Sequence, residues 1–133
     1  MKKHIPTSSH NDDFESNGTF YVLKQTSKTP YIYINKKIGE MEIKGRSIPE
    51  NAIEFYQNIK TEFNGIKLSE LILNIDLEYF NSSSNKCIFD LLLYLKSNIE
   101  KFQINWYIDP EDEDMIEQVD YMKNKFNIKS FSK

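Results

Sequence analysis

Four small polar residues in a row, Asn81, Ser82, Ser83 and Ser84, separate the segment "LILNIDLEYF" from the segment "CIFDLLLYL". Such residues at the start of a helix can do two kinds of work. One can cap the helix, accepting a hydrogen bond from a first-turn N–H, worth about 1 kcal/mol. Another can carry a phosphoryl group. A helix amino end favours anions, and a phosphate brings roughly −1.5 to −2 charges to the surface a partner meets. Capping accounts for one residue of the four, and the pattern alone leaves both uses open. A serine nucleophile is the weakest reading, because it needs a base. The two histidines, His4 and His10, both lie in the polar opening of the chain.

A second group is the acid run Asp109, Glu111, Asp112, Glu113 and Asp114. Acids in a first helical turn stabilise it by about 0.3–1 kcal/mol each. Five exceed that need, so the run also reads as a docking face for a basic partner. A Mg²⁺ site on Asp109, Asp112 and Asp114 beside Ser82 is the enzymatic alternative, a phosphoryl-transfer centre. No glycine stands in the middle of the run, which argues against an EF-hand loop. Arg46, the only arginine of the chain, precedes the stretch "SIPENAIEFY" and is either a solvated cation or a recognition residue. His4 and His10 make a poor metal cage, Cys87 reads as a reduced thiol near the core, and Trp106 as core. No cofactor or resident metal is expected.

The elements that must position these groups follow from periodicity. The stretches "FYVLKQT" (20–26), "YIYIN" (31–35) and "EMEIK" (40–44) read as strands, the last two as a hairpin around Gly39. Ser47 and Glu50 read as a capping box with Pro49 in the first turn. The helix they open carries Ala52, Tyr56, Ile59 and Phe63 at helical spacing. Residues 68–80 alternate, with Leu71, Leu73, Ile75 and Leu77 on one side. Ile88, Leu91, Leu92, Leu95 and Ile99 form a helical stripe, 103–109 a strand, and Met115, Val119, Met122 and Phe126 a third helix before a short strand "IKSF".

The order β-β-β-α-β-α-β-α-β predicts an α/β (α+β) two-layer sandwich. Its sheet is mixed, mostly parallel, with an N-terminal antiparallel hairpin, and the three main helices cover one face. The strands alternate where doubly covered strands would be apolar throughout. The other face therefore stays open and polar-aromatic. Right-handed crossovers with helices on one face require the strands to advance in one direction across the sheet. The serine row and the acid run then share one sheet edge.

The chain has 133 residues and a net charge of −3, which suits one domain and argues against nucleic acid or an anionic membrane as partner. Residues 1–18 read as a mobile tail and 19–133 as a single domain. The start lacks the apolar core of a signal peptide, no run reaches membrane-span length, and one cysteine permits no internal disulfide. These features favour the cytoplasm.

Three ordered blocks, "GRSIPENAIEFY", "LEYFNSSSNK" and "INWYIDPEDEDMIE", with "KTPYIYI" upstream, resemble the SiaC family of bacterial regulatory phosphoproteins over roughly residues 20–127. The resemblance implies a fold similar to STAS domains and to anti-sigma-factor antagonists of the SpoIIAA kind, without enzymatic activity. It implies a kinase of the anti-sigma-factor type, a PPM-type phosphatase and, as target of the unphosphorylated form, a diguanylate cyclase controlling cyclic di-GMP and biofilm. The family's phosphoacceptor follows the asparagine of a YxN[ST]SS block, which places it on Ser82. Asn81, Ser83, Ser84, Arg46, Asp109, Asp112 and Asp114 are the accompanying candidates for partner binding. A constitutive module pairing through its open sheet face is the third reading.

Overall fold

The computed structural model of the protein describes residues 14–16 and 18–133. Seven strands and three helices alternate as expected from Phe20 onward: β1 (Phe14–Ser16), β2 (Phe20–Leu23), β3 (Tyr31–Asn35), β4 (Glu40–Ser47), α1 (Ala52–Thr61), β5 (Glu70–Phe80), α2 (Ser82–Asn98), β6 (Lys101–Ile108), α3 (Glu113–Met122) and β7 (Ile128–Ser132). The strand β1 was not foreseen. It pairs antiparallel with β2, Phe14 opposite Leu23, so the last part of the segment read as a tail belongs to the sheet. The rest of that segment, with His4 and His10, lies outside the described residues.

The sheet order is β1-β2-β3-β4-β5-β6-β7. The first four strands pair antiparallel, and β4 to β7 pair parallel. Each parallel step is bridged by one helix, which is why the strand order follows the chain. One hydrophobic core joins the inward side chains of the strands, such as Ile32, Ile43, Leu73, Ile75 and Trp106, to Tyr56, Ile59, Leu91, Leu95 and Val119 of the helices. The alternate strand residues Tyr31, Tyr33, Asn74, Asn105 and Tyr107 are half-buried on the open face. This is the two-layer sandwich that the alternation demands.

The alternation breaks at one place that matters for the site. Gly45 pairs with Leu77 but Arg46 pairs with Tyr79, so Glu78 has no partner in β4. This bulge turns Glu78 and Tyr79 both outward before Phe80 returns to the core. Gly45 sits at the bulge with φ +112, and a Cβ there would stand 2.9 Å from Gln25 Oε1. Only glycine fits that backbone without displacing Gln25.

Candidate functional site

The end of β5 runs directly into α2, with Asn81 as the single link. Asn81 is the N-cap: its backbone is extended, and its Oδ1 accepts from Ser84 N at 2.9 Å. Ser82 and Ser83 are then the first two helical residues, both exposed. The fourth member of the row differs. Ser84 is fully buried, and its hydroxyl donates to Ser47 O at 2.9 Å. It stands inside the fold and presents nothing to a partner.

Ser47 explains why. It does not cap α1; that cap is Asn51, whose Oδ1 accepts from Glu54 N at 3.0 Å. The capping box expected at Ser47 and Glu50 is therefore displaced, because β4 runs on to Ser47 and buries it at the sheet end. Ser47 Oγ donates to Ser84 Oγ at 2.8 Å and lies 2.6 Å from Tyr56 Oη. With its own proton spent on Ser84, Ser47 takes the phenol's. Burial, the largest influence, pushes the Tyr56 phenol well above its ordinary range against the opposing effect of the Ser47 hydrogen bond, so the donor keeps its proton. Ser47 O also accepts from Asn81 N at 3.2 Å. Three hydroxyls thus tie β4, α1 and the first turn of α2 together under the exposed Ser82.

At the neighbouring junction, Asp112 caps α3, its Oδ1 accepting from Met115 N at 3.1 Å, with Glu113 and Asp114 in the first turn. Asp109 Oδ1 accepts from Glu111 N at 2.9 Å within its own turn. Between the two helix starts lies an open groove of about 400 Å³. Asn81, Ser82, Asn85, Asp112, Asp114 and Glu117 line it, together with Glu78 and Tyr79 from the bulge. The serine row and the acid run therefore share one edge. Asp109, Ser83 and Ser84 are not part of the lining. Arg46 borders it through its neighbours: Nη1 stands 3.8 Å from Glu78 Oε1, and the guanidinium lies 5.6 Å from the centre of the Tyr79 ring. Among the described residues, no three His, Cys, Asp or Glu side chains gather closely enough to hold a metal ion. Cys87 is half-buried; burial first, then Asp90, pushes its thiol up and away from the reactive thiolate.

Glu78, Tyr79 and Asn85 were not anticipated at the site. The one available signal was the "EYF" stretch, where apolar and polar residues stop alternating ahead of the serines.

The family profile of SiaC regulatory phosphoproteins matches residues 23–132. The chain belongs to the SiaC family. No individual curated protein matches it. Among solved structures, a SiaC-family fold recurs in a chain of the crystal structure of diguanylate cyclase SiaD in complex with its activator SiaC from Pseudomonas aeruginosa. That match has a TM-score of 0.73 and 22% identity, covering 84% of this chain and 98% of that one. A structure of SiaC of Pseudomonas aeruginosa follows with 0.70 and 22%, covering 84% and 97%. The crystal structure of apo-SiaC from Pseudomonas aeruginosa has 0.65 and 23%, covering 82% and 95%. The family match thus runs from the end of β2 through β7.

Proposed function

We propose that this chain is a non-enzymatic regulator switched by reversible phosphorylation of Ser82. In its unmodified form it binds and controls a signalling enzyme, a diguanylate cyclase, in the cytoplasm. A kinase of the anti-sigma-factor type adds the phosphate and a PPM-type phosphatase removes it. The observation that carries this reading is the division of labour in the serine row. Asn81 caps, Ser84 anchors, and Ser82 keeps an exposed hydroxyl with no structural duty on a rigid platform. The relative that activates SiaD supports the choice of target. The docking surface consists of Ser82, Ser83, Arg46 and the acids Asp112 and Asp114 across the groove. Among the described residues, no helix is long and apolar enough to cross a membrane.

Phosphate on Ser82 adds negative charge to a groove already lined by four carboxylates. A partner fitted to the unmodified groove would have to desolvate the added charge, at a cost of several kcal/mol. The fold itself keeps its hydrogen bonds, since none among the described residues uses the Ser82 hydroxyl. The experiment is a binding titration against the cognate cyclase with unmodified, Ser82→Ala and kinase-phosphorylated protein, with circular dichroism as folding control. Ser82→Ala should bind as wild type, and the phosphorylated protein should lose at least a hundredfold in affinity. Undiminished binding by the phosphorylated form would disprove the switch.

A further inference from the structure

A phosphate on Ser82 would enter a groove whose lining holds Glu78, Asp112, Asp114 and Glu117 and no cationic side chain. Within a Debye length of about 8 Å that repulsion is poorly screened. The cations must come from outside the lining, where Lys86 and Arg46 have capacity left unused, and Asn85 of the lining adds a third unused group. Lys86 stands four residues after Ser82, one helical turn along the same face of α2. It is exposed and makes no ion pair among the described residues. Asn85 lines the groove itself, yet its buried Oδ1 has no hydrogen-bond partner. Such an orphan is uncommon and costly, and with Oδ1 turned inward the NH₂ group, which donates to no side chain or backbone group among the described residues, is the end left to the groove. Arg46 is held only by Glu78 at 3.8 Å and by the Tyr79 ring, on side chains that remain largely exposed. An exposed pair of this kind is worth about 0–1 kcal/mol.

We propose that Arg46, Asn85 and Lys86 form an internal receptor for a phosphate monoester on Ser82, with Arg46 exchanging Glu78 for the phosphate. This rests on the reading of Ser82 as phosphoacceptor. A phosphate dianion accepts from the planar guanidinium through two oxygens and is a stronger partner than a single exposed carboxylate. The exchange has a consequence beyond the added charge. Arg46 leaves Tyr79, so the ring face and the Glu78 carboxylate are bared to a partner together. Phosphorylation then rebuilds a patch that spans the bulge of β5 and the start of α2.

The test places phosphoserine at position 82 by codon suppression, which needs no kinase, and follows its second ionisation by ³¹P NMR. In the wild-type background that ionisation should lie about half a unit or more below the value of about 6 for free phosphoserine. Arg46→Ala and Lys86→Ala should each return part of the shift, the double variant all of it, and Arg46→Lys should restore some. Unmodified Arg46→Ala and Lys86→Ala proteins should melt with the wild type. Superimposable titrations of wild type and double variant would overturn the receptor and leave Ser82 as acceptor. Phosphopeptide mapping that finds the kinase's phosphate on Ser83 and never on Ser82 would overturn the acceptor reading itself, whatever the titration shows.

Discussion

Two strand-to-helix junctions share one sheet edge, and they are built differently. From β5 to α2 the chain passes through Asn81 alone, and that turn is tied to two other elements through Ser47, Tyr56 and Ser84. From β6 to α3 it takes four residues, Asp109 to Asp112, with side-chain hydrogen bonds that stay inside the loop and the first turn of the helix. The first junction is held from beneath by buried hydroxyls; the second mostly holds itself. On the proposed reading, Ser82 must meet a kinase, a phosphatase and a target in one fixed pose, which the first kind of junction provides. A charged face that works by long-range attraction tolerates the second.

The sharpest way to break this contrast is to remove the buried hydroxyl. Ser84→Ala deletes the donor to Ser47 O and leaves Ser47 Oγ without its acceptor. An unsatisfied buried group costs about 1–3 kcal/mol, and chemical denaturation should show a loss of that size. Ser83→Ala, one residue away and exposed, should stay within about 0.5 kcal/mol. Equal losses for the two would mean that the anchoring is shared along the whole row.

Alkaline titration sharpens the same point at Tyr56. Its folded phenol is held above the ordinary value of about 10, chiefly by burial. Folding therefore keeps a proton that the unfolded chain releases. The stability from this group is fully present below about pH 10 and is lost as pH rises beyond it. Tyr21 is shifted in the same direction by burial and by Glu62, Tyr31 by burial, Glu42 and Tyr33, and the Cys87 thiol by burial and Asp90, so the wild-type decline reports all four groups. Tyr56→Phe should be less stable at neutral pH and should decline less steeply above pH 10. An unchanged slope would show that Tyr56 does not contribute to the alkaline loss.

Exchanging the caps compares the junctions directly. Asn81→Ala and Asp112→Ala each remove one first-turn acceptor and should each cost about 1 kcal/mol. Their effects on modification should part. Asn81 fixes the turn that presents Ser82, so its loss should slow phosphorylation severalfold, while Asp112→Ala should leave the kinase rate nearly unchanged. The readout is phosphate incorporation at Ser82 under single-turnover conditions.

Most of the fold was readable because burial on one face of a sheet imposes strict alternation, and the inward set of β5, Leu71, Leu73, Ile75 and Leu77, was the one expected. Strand order followed from crossover geometry. What escaped was decided by contacts distant in sequence. Ser47 reads as a cap because the pattern S-x-x-E is local; its true partners are Tyr56 and Ser84, which no local pattern connects. Phe14–Ser16 has no period of its own and becomes a strand only by pairing with β2. At the site, the serine row and the acid run were accessible from residue type and junction position, while the choice of Ser82 within the row came from the family resemblance. Glu78 and Tyr79 depended on a bulge, visible in the sequence only as a lapse in alternation. The three serines of the row could not be told apart by type, since burial alone separates Ser84 from Ser83.

The smallest effect on stability should come from the acid face itself. Asp114 is exposed in the first turn of α3, has no side-chain partner among the described residues, and borders the groove opposite Ser82. Its charge interacts favourably with the helix amino end, by about 0.3–1 kcal/mol before screening. Neutralising it as Asp114→Asn should therefore change the melting midpoint only slightly. Its influence on association should be larger than on folding. Complementary rim charges act mainly on the rate of encounter, and that action weakens with salt. Asp114→Asn should slow association with a basic partner a fewfold at low ionic strength and leave dissociation nearly unchanged. The difference from wild type should shrink toward nothing at about 0.5 M salt. Stopped-flow association measured across a salt series tests this. An effect of Asp114→Asn carried by the dissociation rate and insensitive to salt would place Asp114 in a desolvated contact, and the self-held junction would then carry a fixed part of the interface.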